Sequence, residues 1–328
     1  MAVGDPLKAL LRVLGRRYAG HAVRRHVPSL DLLEAFLRKR AGAAVDETVP
    51  ASAVRWFLGL GERVDPAGFT DALRRGHYRE LRRQREPVWR EYEFRGFRVT
   101  HDIRHKSQWN AFARDVHQPG VTHWLRKLCP EGGHALDIGA NAGVLTLELA
   151  RKVGVAGTVH AFEPNPEAYG LLAWAIEDNR IDSYVHVHAF ALGPEDQTLT
   201  LAVPAANNGA ASLRAVEAGE RALEVAVRSF DAWWQAEGEP RVDVVKLDVE
   251  GFEARVVEAL TGMLERDRPA LVMELSPSRY DGQALLDCLD GLGYRVMRIV
   301  SVPPYAEPLP ATLAEQMDIV CFREGDAP

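Results

Sequence analysis

Between His134 and Ala150 the chain runs from a short apolar segment through two glycines into helical spacing, and few folds accommodate that order. His134-Ala135-Leu136-Asp137-Ile138 has the length of a strand. Gly139 and Gly143 follow four residues apart, and Leu145-Thr146-Leu147-Glu148-Leu149-Ala150 has the spacing of a helix. Glycine stands where a backbone must turn sharply or let a ligand approach closely, so the stretch predicts strand, tight turn and helix. Such a turn is expected to leave free amide N–H groups at a helix N-terminus, at the carboxyl edge of a sheet. A second apolar run, Thr158-Val159-His160-Ala161-Phe162, ends in Glu163, 20 residues after Gly143. At about that distance an acidic side chain on the second strand meets ribose hydroxyls in nucleotide-binding α/β folds. A nucleoside-containing cofactor is therefore expected.

The glycine pattern narrows the choice. A dinucleotide fingerprint reads G-x-G-x-x-G and makes room for a pyrophosphate, which would leave an NAD-dependent oxidoreductase as the alternative. This chain reads Asp137-x-Gly139-x-Asn141-x-Gly143, with a larger side chain at Asn141. Asp137 would repel a diphosphate and suits a cationic methionine ammonium. S-adenosylmethionine carries that ammonium, a sulfonium and a ribose diol, and no phosphate.

Three motifs in order complete the pattern: Asp137-Ile138-Gly139-Ala140-Asn141-x-Gly143, Phe162-Glu163-Pro164-Asn165-Pro166, and Val245-Lys246-Leu247-Asp248-Val249-Glu250-Gly251-Phe252-Glu253. Together they resemble the FkbM family of S-adenosylmethionine-dependent methyltransferases, over roughly residues 100–300. The resemblance implies a Rossmann-like α/β methyltransferase fold, a mostly parallel sheet with helices on both faces, at residues 92–328. A helical N-terminal extension would occupy residues 1–91. It also implies O-methylation of a small-molecule hydroxyl acceptor, a sugar or secondary metabolite. An Asn/Gly…Ser loop lies near the active site in the family, and Asn207-Asn208-Gly209-Ala210-Ala211-Ser212 is comparable; as bare sequence it is a turn.

Ligands in such sheets sit outside the carboxyl ends of the strands. Asp137, Glu163, Asp248, Glu250 and Glu274 are all expected there, and isolated buried carboxylates are costly without a purpose. The cofactor-binding set is Asp137, Gly139, Asn141, Gly143, Glu163, Asn165, Ala191 and Asp248. Glu163 is expected to accept both ribose hydroxyls, Asn165 or Pro164 to border the adenine, and Phe190-Ala191-Leu192 to touch its face. Asp248 and Glu250, at alternate positions on an extended strand, would share one microenvironment, where like charges raise one pKa and make a base. They could instead bind a divalent cation, or Glu250 or Glu253 could cap the helix after Gly251. No metal is assigned. Lys246 is expected to pair with Asp248 or Glu250. His101, His105 and His117 precede the first core strand and are expected over the acceptor; His105 joins Asp248 and Glu250 as a catalytic residue.

The 328 residues, 47% hydrophobic and 26% charged, suit a globular chain with a substantial core. Three cysteines without a C-x-x-C pair argue against a disulfide framework or structural zinc. No apolar run reaches the roughly 18 residues of a membrane span. Arginines interrupt the apolar positions of Leu7 to Val27, unlike a signal peptide, and a cytoplasmic location is expected. Residues 1–100 hold 20 Lys and Arg against 12 Asp and Glu, a balance of +8, and the remainder 20 against 34, or −14. Such a split suits docking of the basic part on the acidic part, or an acidic partner. An RNA- or carrier-protein-binding module, or a macromolecule methyltransferase, is the alternative reading, and nucleic acid is not the expected partner.

Leu7, Leu10, Leu11 and Leu14, then Leu30, Leu33, Phe36 and Leu37, predict helices, with Ser29 and Ser52 as caps and 74–83 as a charged helix. These helices could also carry a homodimer contact. Residues 92–100 alternate about Arg95-Gly96 and predict a hairpin. Further on, helices are expected near 120–129, 143–152, 166–178 and 281–292. Strands are expected at 134–138, 158–162, 185–191, 242–247, 270–274, 294–300 and 317–322, and an antiparallel pair at 197–201 and 223–227.

Overall fold

The computed structural model describes residues 86–204, 211–214, 216–303 and 305–323, with Tyr78 and residues 81–84. By compactness the chain divides after Ala72, and every described residue belongs to the unit Leu73–Pro328. The helices expected before residue 74, their serine caps, a dimer contact through them and most of the charged helix at 74–83 lie outside the described residues.

The described chain opens on a hairpin, β1 (Trp89–Phe94) and β2 (Phe97–Asp102), which turns at Arg95-Gly96 as the alternation predicts. Two helices follow, α1 (Lys106–Arg114) and α2 (Pro119–Leu128). The α/β alternation then runs through β3 (His134–Ile138), α3 (Val144–Val153), β4 (Thr158–Phe162), α4 (Pro166–Asp178) and β5 (Val185–His188). An insertion contributes β6 (Ala191–Gly193), β7 (Gln197–Pro204), β8 (Ser212–Leu213) and β9 (Glu220–Ser229). The core resumes with α5 (Phe230–Ala236), β10 (Val244–Leu247), α6 (Glu253–Asp267), β11 (Ala270–Leu275) and α7 (Gly282–Gly291). It closes with β12 (Tyr294–Ile299), β13 (Ala306–Glu307) and β14 (Met317–Arg323).

One eight-stranded sheet takes the order β13-β12-β14-β11-β10-β3-β4-β5. From β11 to β5 neighbours are parallel; β14 lies antiparallel between β11 and β12. The first parallel strand therefore sits mid-sheet, and the chain leaves it towards β4 on one side and returns as β10 on the other. That reversal opens a crevice at the carboxyl ends of β3 and β10.

Side-chain alternation gives the sheet two apolar faces. Leu136, Ile138, Phe162, Val245, Leu247, Leu271 and Met273 form one continuous core with residues of α5, α6 and α7. Asp137 and Lys246 point to the opposite face, where Thr146 of α3 meets Asp137. Helices on both faces and a mostly parallel sheet are the architecture expected from the sequence.

The stretch expected as one strand at 185–191 is two. β5 ends at His188, and β6 leaves for a separate four-stranded sheet of order β6-β9-β7-β8. Within it β7 and β9 pair antiparallel with Gln197 opposite Val227. This small sheet has its own apolar cluster of Leu201, Val203 and Val225.

Candidate active site

The glycine turn takes the left-handed backbone three times in alternation, at Gly139 (φ +83°), Asn141 (φ +53°) and Gly143 (φ +83°). Glycine enters that region freely, and asparagine is among the few other residues that do so routinely. Asn141 supports itself there, its Oδ1 accepting from the Ala142 amide at 2.7 Å. A Cβ on Gly139 would stand 1.8 Å from the Asp248 carbonyl oxygen, so the loops after β3 and β10 touch backbone to backbone.

The amides from Gly139 to Gly143 have acceptors within the chain, whereas the first turn of α3 receives no side-chain cap, as expected of a helix N-terminus after this turn. Gly139 and Ala140 donate to the Phe162 carbonyl at 3.0 Å each, and Gly143 to Ala140 at 3.0 Å. Asn141 donates to Oε2 of Glu163 at 2.7 Å. The other oxygen, Oε1, accepts from the Asn165 amide at 2.8 Å. Glu163 is 7% exposed. Burial pushes its pKa up to about 7, against the two backbone donors and Lys246, which pull it down. Each carboxylate oxygen can accept more than one hydrogen bond. What the turn offers a ligand is thus acceptor capacity on Glu163.

Asp137 is fully buried behind this turn. Its Oδ2 accepts from Thr146 Oγ1 at 2.6 Å and its Oδ1 lies 3.0 Å from Lys246 Nζ. Lys246 does not pair with Asp248 or Glu250. Asp137 and Lys246 are register partners on adjacent parallel strands, so their side chains stand on one face about 5 Å apart. The ammonium also donates to the Gly139 carbonyl at 2.6 Å. Burial alone would lower the lysine's pKa, but Asp137, Asp248 and Glu163 together outweigh it and hold the ammonium above its ordinary range.

Beyond Leu247 the strand ends, and Asp248 and Glu250 do not stand at alternate positions of an extended strand. Glu250 takes the left-handed region (φ +55°) and Gly251 follows at +106°. Glu253, fully buried, accepts from the amides of Val249 and Gly251 at 3.0 Å. Of the two residues weighed as caps, Glu253 closes this loop and Glu250 is left facing the cleft. Oxygens of Asp248, Glu250 and Glu274 lie within 4.8 Å of one another, a separation one divalent cation could bridge. Burial, then the Asp248 charge, raises the Glu250 pKa to about 7 and that of Glu274 to about 8. Asp318, opposite Glu274 in the antiparallel pair, is raised to about 7 for the same two reasons.

These walls enclose a cleft of about 880 Å³ including its open mouth. Glu163 and Pro164 line one end, with Phe162, Ala191 and Leu192 beside them; Lys246, Asp248 and Glu250 line the other. Residues 137–296 match the family model of the methyltransferase FkbM domain.

The chain carries an FkbM methyltransferase domain. Among solved structures, an FkbM methyltransferase from Methylobacillus flagellatus KT is 15% identical over 79% of this chain and 62% of its own, with a TM-score of 0.41. Fibrillarin from Aeropyrum pernix, solved with natively bound S-adenosyl-L-methionine, is 12% identical over 74% of this chain and 85% of its own, at 0.39. An S-adenosylmethionine-dependent O-methyltransferase from Thermotoga maritima is 16% identical over 64% and 66%, at 0.35. Among curated proteins no sequence matches this chain.

Of the three histidines before the FkbM core, only His117 lines the cleft. It shares that wall with Ser107 and with Gln118, whose left-handed backbone (φ 44°) turns the chain from α1 into α2. Burial, with Lys246 and Lys106 nearby, lowers the His117 pKa to about 3 and keeps the ring neutral. His101 is buried under the glycine turn, with Nε2 3.3 Å from the Ala142 carbonyl and Nδ1 2.9 Å from the Tyr92 hydroxyl. A carbonyl only accepts, so Nε2 carries the proton and the tyrosine donates to Nδ1. His105 lies 3.6 Å from Asp102 at the start of α1 and is not among the lining residues. Asn165 is buried as the N-cap of α4, with Pro164 reaching the cleft in its place. Phe190 packs on Phe162 in the core. Residues 207–210 of the Asn/Gly…Ser loop lie outside the described residues; Ala211 lines the cleft.

Sequence reading missed Asp318 and Arg279, and had Ser212 only as the end of the Asn/Gly…Ser loop. Ser212 and Arg279 meet the Glu250 loop from distant parts of the chain, at 2.5 Å each from its carbonyl, and nothing in the local sequence of Arg279 announces the contact.

Proposed function

We propose that this domain binds S-adenosylmethionine and transfers its methyl group to a hydroxyl of a small molecule, such as a sugar or secondary metabolite. The observation that carries the cofactor assignment is the hydrogen bonding of the glycine turn. All five amides from Gly139 to Gly143 already have acceptors, so the turn itself offers a ligand no spare donor up to the start of α3, whereas a ribose diol finds an acceptor in Glu163. Phe162, Ala191 and Leu192 supply the apolar surface an adenine needs. The cleft's excess of carboxylates over cations favours a ligand with net positive charge.

When bound, the cofactor supplies an electrophilic methyl on a sulfonium. The chain's own contribution is to hold the acceptor in line, exclude water and receive a proton. Holding two reactants about 3 Å apart in line is worth about 7–11 kcal/mol, so no single base need dominate. Glu250, at the cleft with a pKa raised to about 7, is well placed to take the hydroxyl proton near neutral pH. Asp248 stands beside it and touches the cofactor end through its carbonyl. Asp137 anchors Lys246, which in turn fixes the Gly139 carbonyl.

The basic balance of residues 1–100 favours a second reading, methylation of RNA or of an acidic carrier protein. Methyl-labelled cofactor incubated with hydroxylated glycosides, ribo-oligonucleotides and acyl carrier protein separates the two. Label in a small hydroxylated compound supports the proposal. Label confined to RNA or protein overturns the acceptor assignment and leaves the cofactor assignment standing.

A further inference from the structure

The loop after β10 is fixed at one peptide by three parts of the chain that lie far apart in sequence. Glu250 has a left-handed backbone, which a residue with a Cβ adopts at a cost. Such strain persists only where the surroundings over-determine it, and it concentrates at functional sites. Here they do so from both sides. The Glu250 carbonyl accepts from Ser212 Oγ at 2.5 Å and from Arg279 Nη1 at 2.5 Å. The N–H of the same peptide, on Gly251, donates to both oxygens of Glu253 at 3.0 Å.

Ser212 and Arg279 also touch each other, Nη1 lying 3.2 Å from the hydroxyl oxygen. A second guanidinium nitrogen reaches the Glu250 carboxylate itself, 3.4 Å from Oε2. Gly251 makes this approach feasible, since a Cβ there would stand 2.5 Å from Arg279 Cδ. Ser212 belongs to β8, which pairs with β7 through Ala202 and Leu201, and Leu201 and Leu213 line the cleft. The small sheet thus meets the ligand cleft and the Glu250 peptide at once.

We infer that Ser212 and Arg279 are positioning residues: they lock Glu250 in its strained conformation with its carboxylate in the cleft, and so make the inserted sheet part of the proton-accepting apparatus. The inference rests on the reading of Glu250 as proton acceptor. The two residues act differently. Ser212 holds only the backbone, whereas Arg279 holds the backbone and sets a positive charge against the carboxylate. That charge works among others: the carboxyls of Asp248, Glu253 and Glu274 and the ammonium of Lys246 also act on Glu250.

The test is a carbon-13 titration of glutamate side-chain carboxyls in the full chain with S-adenosylhomocysteine present, the Glu250 signal being assigned by its loss in Glu250→Gln. Removing the nearest positive charge in Arg279→Met is expected to raise the Glu250 midpoint by about one pH unit. Arg279→Lys, which keeps the charge and loses the two-pronged contact, should recover at least half of that shift. Ser212→Ala should leave the midpoint within about 0.3 pH unit, yet speed amide exchange at Gly251 about tenfold by freeing the peptide. An unmoved midpoint in a folded Arg279→Met variant, or a shift in Arg279→Lys as large as that in Arg279→Met, overturns the role of Arg279. Unchanged exchange in Ser212→Ala overturns that of Ser212. Failure of the homocysteine ligand to bind the unaltered protein would instead count against the cofactor reading.

Discussion

At the Glu163 end of the cleft, a buried carboxyl is held by backbone amides beside apolar side chains, with Lys246 and Asp137 in electrostatic reach. At the Glu250 end, four carboxylates crowd together with Lys246 and Arg279 as their cations. The first end suits a neutral diol laid on an apolar floor. The second keeps its acids partly protonated near neutral pH and can take up a proton without a large change of structure. On the proposed function, binding and proton removal are separated in space and in electrostatics, although one loop contact, Gly139 against the Asp248 carbonyl, joins them.

Cutting the tie between the ends should have the largest effect. Lys246→Met leaves Asp137 buried without its cation and is expected to cost about 3–5 kcal/mol in denaturant unfolding; most of that should return in Asp137→Asn/Lys246→Met. Gly139→Ala forces a methyl into the Asp248 carbonyl from a left-handed backbone and is expected to cost about 3 kcal/mol. Gly143→Ala meets only the far end of Leu172 and should cost less; equal losses would mean the loop contact does not join the two ends.

The histidines packed beneath Phe162 and the raised carboxyls of the cleft, Glu163 among them, should respond to pH with opposite sign. Beneath Phe162, His160 and His188 pack together with Nδ1 and Nε2 3.1 Å apart. Burial first, then neighbouring histidines, lowers their pKa values to about 3 and about 4. Their stability contribution is full above the unfolded value near 6.5 and is lost as pH falls through 4 and 3. Thermal or denaturant unfolding should therefore lose about 2–3 kcal/mol between pH 6.5 and 4, a slope that His160→Leu flattens. Glu250, Glu274 and Asp318 act the other way. Their folded pKa values are raised, so the stability present below about pH 4 is lost as pH rises through 7 and 8. Glu250→Gln should accordingly stabilise the unliganded protein by about 1–2 kcal/mol at pH 8.5, after screening, and by little at pH 4.5. A stabilisation independent of pH would mean the acid cluster carries no strain of charge.

The sequence disclosed the two ends unequally. The cofactor end is local: strand, glycine turn and the acid 20 residues on lie within one βαβ unit, and residue spacing alone brings Gly139, Asn141 and Glu163 together. The exact bounds of β3, β4 and α4 follow from the same local patterns. The acid end is assembled by tertiary contacts. Asp318 faces Glu274 only because β14 inserts antiparallel between β11 and β12, and the path of Ser212 depends on the chain leaving the main sheet after His188. Periodicity cannot show where β5 stops and β6 joins another sheet, because both are short apolar runs. Lys246 was misassigned for a related reason: its partner is set by strand register, not by the nearest acid in sequence.

The measurement that bears most directly on this account is calorimetric titration of S-adenosylhomocysteine into the unaltered protein and into Glu163→Ala. The account predicts saturable binding, at least tenfold weaker in the variant, about 1.4 kcal/mol for lost ribose hydrogen bonds, with no heat from NAD in either protein. Undiminished binding by a folded Glu163→Ala protein would contradict it.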